Sequence, residues 1–413
     1  MPREDGEGIK SVEAAMLAVG EQLREACVEL RRQAVGESGR AKDLEHTLGL
    51  DKSLASRLKK MAEADSPFAV LEQAPAPQGW SLILRGAVRS GVSDSCLRLI
   101  ESAGRALEDL IRRFPGGRGD LHIALGGFLG DWLEASTLTS QREVHKAMRQ
   151  MHGCSVESHE VQTWYAPNGD DPSMVDYAWS SSMLGLRRLR DRATLVLGGT
   201  YDAEDPTVME RRVTLDGDLL PGGFQAWIVE DLSTLPDGAT ELRSVRPSQL
   251  LVLPPGRVEL AHPYDLVIAA RTPSGLSRHA TEGDGYAQGM VMSRLPATAL
   301  RVDYFVHRSL GFGEPQCQPT LSILPLGVYA QAPGEHRTDR SEVVFTLTKS
   351  SEGGAAAVEA LSRTGRTIAK RFTASAGWDA QEFDAWTLRV THPVPMVTMH
   401  TWFPKPAPEQ QPE

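Results

Sequence analysis

Apolar positions near the start of the chain recur at intervals of three and four, the spacing of an amphipathic helix. One such set lies within residues 11–35: Val12, Met16, Val19, Leu23, Cys27 and Leu30. Charged residues fill much of the opposite side, and Gly36 ends the pattern. The pattern predicts one long helix. Two roles are open for it: packing on the helices that follow, or pairing with a second copy of the chain.

A second apolar set lies on both sides of Gly49: Leu44, Leu48, Leu50, Leu54 and Leu58. Glycine adopts a left-handed backbone at low cost, so Gly49 predicts a turn between two short helices. The first helix is predicted over residues 41–48. The second is predicted to run to about Met61, with Asp51 or Ser53 as its N-cap, because their side-chain oxygens accept hydrogen bonds from the first turn.

The outward side of the second helix is mostly cationic: Lys52, Ser53, Ser56, Arg57, Lys59 and Lys60. Residues 52–62 hold four cations and no carboxylate. Lys and Arg neutralise phosphates and donate to guanine edges, and Ser can reach a phosphate or a base. This pattern indicates a helix that lies in the major groove of double-stranded DNA.

The stretch LGLDKSLASRLKKM, residues 48–61, resembles the helix-turn-helix of bacterial transcription regulators, notably the winged type. The resemblance covers residues 39–64 and implies a DNA-binding function. The predicted DNA-contacting residues are Lys52, Ser53, Ser56, Arg57 and Lys60. One position departs from the pattern, since Glu45 stands where such motifs usually have a small residue. We expect its carboxylate to tilt toward solvent.

The segment after the second helix fits two different structures. Two apolar runs flank a centre at residues 74–79 that contains proline and glycine, which is typical of a β-hairpin, the wing of a winged helix. The same segment also fits two short helices, 67–73 and 78–90. Residues 93–153 are predicted to be helical with a break at 114–120, and we interpret them as a connector that carries a dimer interface.

From Cys154 onward, short β-rich runs alternate with turns rich in Gly and Pro. Strands are predicted at 161–166, 193–199, 224–230, 249–253, 265–271, 300–307, 321–330, 341–347 and 386–392. Helices are predicted at Ser180–Arg192 and Glu352–Ala374. Without a regular strand–helix–strand cadence, the pattern favours an α+β domain with a largely antiparallel sheet. The polar, proline-rich residues 405–413 are predicted to be disordered.

Charge is distributed unevenly in a chain whose net charge is −10. Residues 1–92 carry 13 Lys and Arg against 14 Asp and Glu, and the remainder carries 31 against 40. An acidic body with one basic helix favours a site-specific DNA-binding homodimer over a general nucleic-acid coat. The sequence shows no apolar run of bilayer length, no signal core and no disulfide framework, so we expect a cytoplasmic protein without a membrane partner.

The common catalytic motifs, HExxH, GxSxG, Walker A and GxGxxG, do not occur in the sequence. The strongest metal candidate comprises His145, His152, Cys154 and His159. Seven helical residues separate its first two histidines by about 10.5 Å, so we interpret them as helix-surface residues. The segment 168–173 is interpreted as a turn and the basic run 187–192 as a solvated helix face. We predict no catalytic residue, metal or cofactor.

These patterns predict an α+β protein in three parts. Residues 1–92 form an all-α helix-turn-helix domain with or without a wing, 93–153 a helical connector, and 154–404 a mixed domain with a largely antiparallel sheet. The predicted function is transcription regulation, with the C-terminal domain sensing a small-molecule effector or a partner. Two alternatives stay open: an enzyme of unknown reaction in the C-terminal domain, or an interaction scaffold that uses the N-terminal helices.

Overall fold

The computed structural model describes residues 5–126, 128, 130–201, 212–220, 227–236, 238–245, 248–281, 284–321 and 341–408. Its helices and strands make a mixed α+β architecture, with helices dominating the N-terminal third. The chain divides into two compact units, Met1–Ser136 and Thr137–Glu413. This division does not coincide with the three predicted parts.

The described residues before position 153 are helical. The helices are α1 (Asp5–Val35), α2 (Ala41–Leu48), α3 (Lys52–Glu63), α4 (Pro67–Gln73), α5 (Pro77–Ser90), α6 (Asp94–Arg112), α7 (Arg118–Gly126) and α8 (Gly130–His152). The predicted bounds of α2 are confirmed, and α3 extends two residues beyond its predicted end.

Two helices occupy the segment for which a β-hairpin wing was one alternative, so that alternative is wrong. Ser66 caps α4 by accepting a hydrogen bond from the Ala69 amide at 3.2 Å, and Pro67 stands at the first position of the helix. Pro77 likewise begins α5. Proline at a first helical position loses no hydrogen bond, so Pro67 and Pro77 both suit the helix starts that they occupy.

The core of the N-terminal unit forms around α1. Met16, Leu23 and Leu30 are fully buried in one cluster with the leucines of α2 and α3. The helix α6 belongs to the same core, because the indole of Trp80 donates to the carbonyl of Ile100 at 2.9 Å. The α6 residue Gly104 leaves the space that this indole occupies. Residues 94–112, predicted as part of a connector, are therefore integral to this unit.

Glycine lets the α2–α3 turn be covered closely by α5. A Cβ atom on Gly86 would lie 2.5 Å from the carbonyl oxygen of Leu48, which is the last residue of α2. Backbone at that position cannot move aside easily, so only glycine permits this approach. The turn is thereby fixed from behind by a helix outside the helix-turn-helix segment.

The C-terminal unit is built on three sheets. The strands are β1 (Cys154–Pro167), β2 (Met174–Arg188), β3 (Leu195–Tyr201), β4 (Glu241–Val245), β5 (Ser248–Leu253), β6 (Glu259–Ser277), β7 (Tyr286–Met292), β8 (Ala297–His307), β9 (Gln316–Leu321), β10 (Thr346–Lys349), β11 (Phe383–Thr391) and β12 (Val397–Pro404). Their orders are β10-β11-β8-β1-β2-β6, β7-β12-β9 and β3-β5-β4. Only the β1–β8 pair among the described pairings is parallel, so the expectation of largely antiparallel sheets is confirmed.

Both faces of the six-stranded sheet are covered. Alternate residues point to opposite faces of a strand. On one face Trp164 and Phe305 stack with ring centroids 3.9 Å apart, in a cluster with helices α9 (Gly353–Glu359) and α10 (Arg363–Ala376). On the other face Tyr165 and Tyr304 pack with residues of β7 and β12. The unit is thus layered as helices, a large sheet and a small sheet.

Most predicted strands with described residues are confirmed, and two predicted strands and one predicted helix differ locally. The run 341–347 becomes a strand only at Thr346. The predicted helix Glu352–Ala374 is two helices, because Ser362 caps a new one by accepting from the Gly365 amide at 3.0 Å. The predicted strand at 224–230 is wrong in its described part, because Ile228 forms only an isolated bridge with Ile268 and Glu230 begins a 3-10 helix. Residues 224–226 of that run and residues 322–330 of another predicted strand lie outside the described residues.

The predicted helix Ser180–Arg192 is wrong, since residues up to Arg188 belong to β2. This strand pairs along its length with β1 on one side and β6 on the other. The predicted disorder also begins too early. Lys405 forms an ion pair with Asp284 at 2.6 Å, and Pro406 accepts a hydrogen bond from the Ala280 amide at 2.8 Å.

Candidate nucleic-acid interface

The turn between α2 and α3 is built by local hydrogen bonds. Gly49 adopts φ 59°, a left-handed backbone that suits glycine. The amide of Leu50 donates to the carbonyl of Glu45 at 3.1 Å, and the side chain of Asp51 accepts from the Leu54 amide at 2.9 Å. Of the two predicted caps, Asp51 is therefore the one used. The departure from the motif, Glu45, is half-buried on α2.

A side chain of α5 completes this turn. The guanidinium of Arg89 donates to the carbonyl of Leu48 at 3.1 Å. This carbonyl is at the C-terminal end of α2, where the helix dipole favours a cation. The orientation of α3 relative to α2 is thus fixed by the cap, the glycine and a residue about forty positions later in the chain.

The helix α3 has a buried face and a cationic face, as the sequence predicts. Its buried residues are Leu54, Ala55, Leu58 and Met61. The five predicted contact residues lie outside this buried set, with Lys52, Ser53, Arg57 and Lys60 exposed and Ser56 half-buried. The structure therefore presents the five side chains on the outward part of one helix.

The remaining lysine of this helix behaves differently. Lys59 forms an ion pair with Glu63 at 2.8 Å, and Glu63 also pairs with Arg31 of α1 at 2.9 Å. Within the described part of the chain, Lys52, Arg57 and Lys60 take part in no ion pair. The charges of Lys52, Arg57 and Lys60 are therefore not neutralised by ion pairs with the described residues.

Two further basic residues lie beside this face, and the sequence analysis missed them. Arg118 of α7 donates through Nη2 to the carbonyl of Ala74, and its Nε lies 3.1 Å from Nε2 of His122. Burial, followed by the charge of Arg57, lowers the pKa of Arg118. Burial and the charges of Arg118 and Arg57 lower that of His122. The only sequence signal was one arginine between glycines in the break at 114–120.

The histidines and cysteine of the candidate metal site do not converge. His145 lies on α8 against His392, with ring centroids 4.9 Å apart. His159 lies on β1 and forms a 2.8 Å hydrogen bond with Ser181 of β2. Among the residues that the structure describes, three or more His, Cys, Asp or Glu nowhere form a group able to hold a metal ion.

The acidic segment 168–173 is a turn, as predicted. It joins β1 to β2, and the side chain of Asn168 accepts from the amides of Asp170 and Asp171 at 3.0 and 2.8 Å. These contacts are those of an Asx turn. The carboxylate of Asp171 accepts from the Ser173 hydroxyl, which lowers the pKa of that carboxyl group. The segment therefore serves the hairpin.

The interpretation of the basic run 187–192 as a helix face is wrong. Arg187 and Arg188 end strand β2. Arg188 is 3% exposed and donates to the carbonyl of Pro254 at 2.6 Å, while Arg187 pairs with Glu157 at 2.5 Å. The contacts of these two arginines join the end of β2 to Pro254 and to Glu157 of β1.

A surface cleft of the C-terminal unit offers a second polar site. Its volume is about 610 Å³ and its lining is Arg308, Lys349, Ser350, Ser351, Glu352, Gly353 and Asp384. The carboxylate of Asp384 lies 2.9 Å from Nζ of Lys349 and 3.7 Å from the guanidinium of Arg308. Because its two cations share an internal carboxylate, the cleft is a weaker anion site than the face of α3.

None of the described helices has the length and apolarity needed to cross a bilayer. Comparison of the chain with protein-family models, curated proteins and solved structures found no match.

Proposed function

We propose that the chain is a sequence-specific DNA-binding regulator whose α3 enters the major groove. The observation that carries this proposal is the exposed cationic face of a rigidly capped helix, on which Lys52, Arg57 and Lys60 have no internal ion-pair partner among the described residues. Such a face attracts phosphates and leaves donors for base edges.

Each exposed side chain of α3 has a distinct role in this proposal. Arg57, near the middle of α3, and Lys60, in its last turn, lie three residues apart and supply long donors to guanine or phosphate. Lys52 and Ser53 lie in the first turn of α3 and contact the phosphate backbone of the DNA, as do the peptide amides at the start of the helix. Ser56 is half-buried and reaches only what approaches the helix closely.

Affinity requires more than one such helix. A two-fold dimer places two copies of α3 about 34 Å apart, one turn of DNA, and reads a symmetric site. The C-terminal unit is assigned the sensing of an effector or partner that shifts the spacing of the two helices. The support for this assignment is the length of the chain, since a DNA-binding domain needs far fewer than 413 residues.

The test is selection from a pool of random duplex DNA by the full chain at two salt concentrations. We expect enrichment of a two-fold symmetric sequence and weaker binding at the higher salt, because bound phosphates release counterions. The variant Arg57→Glu/Lys60→Glu is expected to lose enrichment. Both replaced side chains are exposed, so the fold should be kept.

A matched control keeps the same change of net charge. Arg98→Glu/Arg105→Glu reverses two exposed arginines on α6 of the same unit. We expect it to bind the selected duplex with close to the parental affinity. Equal loss in the two double variants, or no binding by the parent chain at low salt, would refute the proposal.

A further inference from the structure

Arg118 is held in place by two contacts that come from different parts of the N-terminal unit. Its Nη2 donates to the carbonyl of Ala74, just after the end of α4. Its Nε donates to Nε2 of His122, one helical turn farther along α7. Burial lowers the pKa of His122, so a neutral ring that accepts this bond is favoured. These contacts leave the Nη1 edge of the guanidinium available as a donor.

The helix α3 lies close to the chain that follows α4. Leu54 lies one turn before Arg57 on α3, and a Cβ atom on Gly79 would lie 3.6 Å from Cδ1 of Leu54 and 2.8 Å from Pro75. Gly79 thus lies close to both Leu54 of α3 and Pro75, and Pro75 follows Ala74, whose carbonyl accepts from Arg118. The charge of Arg57 accordingly lowers the pKa of both Arg118 and His122.

A bound anion would relieve the repulsion between the charges of Arg57 and Arg118. Ion pairs found in the described residues give neither Arg57 nor Arg118 a carboxylate. The nearest acid along α7, Asp120, is engaged with the Gly116 amide at 2.7 Å. Arginine cannot lose its proton in water, so the repulsion persists unless an anion binds.

We propose that Arg57 and Arg118 together bind one backbone phosphate of the DNA, with His122 as the residue that positions Arg118. The inference rests on the proposed function. Two planar guanidinium forks can contact several phosphate oxygens at once, which a lysine cannot do. A backbone phosphate carries no sequence information, so this site fixes the register of α3 and adds affinity without adding specificity.

The test compares Arg118→Gln with the parent chain on two probes, the selected duplex and an unrelated duplex of the same length. We expect affinity for both to fall by a similar factor, about tenfold, and the slope of log K against log salt to shrink by about one. The matched control Arg105→Gln removes an exposed arginine of α6 and is expected to change neither quantity.

A second variant keeps the proposal testable if Arg118→Gln disturbs the fold. Arg118→Lys retains the charge and loses the Nε contact with His122, so we expect the salt slope to be kept while affinity falls severalfold. Unchanged slope and affinity in a folded Arg118→Gln chain, while Arg57→Glu/Lys60→Glu abolishes binding, would overturn the phosphate site and leave the proposed function intact.

Titration with inorganic phosphate separates the two proposals. We expect the His122 ring resonances of the parent chain to shift with phosphate and those of Arg118→Gln to stay unchanged. If no duplex binds but this shift occurs, the DNA proposal fails and the anion site stands. If neither phosphate nor DNA produces an Arg118-dependent effect, the site itself is refuted.

Discussion

Several cations of the C-terminal unit have carboxylate partners that Arg57 and Arg118 of the N-terminal unit lack. In the C-terminal unit Arg301 meets the buried Asp303 at 2.7 Å, and the deeply buried Lys405 meets Asp284 at 2.6 Å. Arg371 of α10 likewise pairs with two carboxylates. In the N-terminal unit Arg57 and Arg118 have each other and His122 as electrostatic neighbours, and no described carboxylate pairs with them.

Under the proposed function, the cations paired with carboxylates stabilise the fold, whereas Arg57 and Arg118 bind an external anion. A buried cation is tolerated when a carboxylate and hydrogen bonds compensate it, and removing that carboxylate is costly. A cation without a carboxylate adds repulsion to the folded state, which is acceptable where an external anion relieves it. The comparison therefore supports the proposal of an anion-binding surface in the N-terminal unit.

The largest effect is expected from Asp303→Asn. Asp303 is 2% exposed and accepts hydrogen bonds from Arg301 and from the Thr387 hydroxyl at 2.7 Å. Its neutralisation leaves a mostly buried guanidinium without a counter-charge, so we expect the free energy of unfolding to fall by about 3–5 kcal/mol. Urea unfolding followed by the fluorescence of the C-terminal tryptophans measures this loss.

An exposed ion pair supplies the control for that variant. Asp109→Asn breaks the pair with Arg112 on α6, in which both side chains are more than half exposed. We expect a change below about 1 kcal/mol. If Asp303→Asn were equally mild, compensation would not be what stabilises the cations of the C-terminal unit, and the comparison would fail.

An intermediate effect is expected from pH. Burial lowers the pKa of His159 from 6.5 to about 4. The unfolded chain therefore takes up a proton below pH 6.5 while the folded chain does not, so stability falls as pH drops from 6.5 to 4. The loss from this residue totals about 3 kcal/mol.

Unfolding at several pH values tests that expectation. His159→Gln is expected to make the stability of the C-terminal unit less dependent on pH in this window. His46→Gln, which replaces an exposed histidine of α2, serves as the matched substitution. The same pH dependence in the parent and in His159→Gln would show that burial of the His159 ring does not lower the stability of the C-terminal unit in acid.

The smallest effect on stability is expected from Arg118→Gln, the variant for which the proposed phosphate site predicts weaker DNA binding. The lost hydrogen bond to Ala74 is offset by the relief of repulsion from Arg57. We expect the free energy of unfolding to stay within about 0.5 kcal/mol of the parent value. Hydrogen exchange at the amides of α4 and α7 in the full chain measures it. A loss above about 2 kcal/mol would make Arg118 a structural residue.

The sequence predicted α2, its turn and α3 closely because their signals are local. A glycine, an N-cap aspartate and leucine spacing act within a few residues of each other. The same locality could not decide residues 66–90, since Pro77 suits a hairpin tip as well as a helix start. Packing against α1 and α6 decides for helices.

Long-range pairing explains the failures. Residues 180–188 have the length and charge of a helix, yet they pair with β1 on one side and with β6 on the other. A local sequence pattern contains no information about pairing partners this distant. Arg118 was missed for a related reason. Its neighbour Arg57 is about sixty positions away, and only the folded chain brings the two charges together. The cationic face of α3 was predictable, whereas its extension onto α7 was not.

The parallel pairing of β1 with β8 also orders the biosynthesis of the molecule. Val156 finds its neighbour Ala297 only after more than a hundred further residues have left the ribosome. At translation rates of about 5–20 residues per second, β1 waits roughly ten seconds with one edge unpaired. The helical unit is complete before this interval begins. Newly made chains should therefore contain a folded N-terminal unit and an incomplete sheet in the C-terminal unit. A chaperone that covers strand edges would act on the C-terminal unit alone.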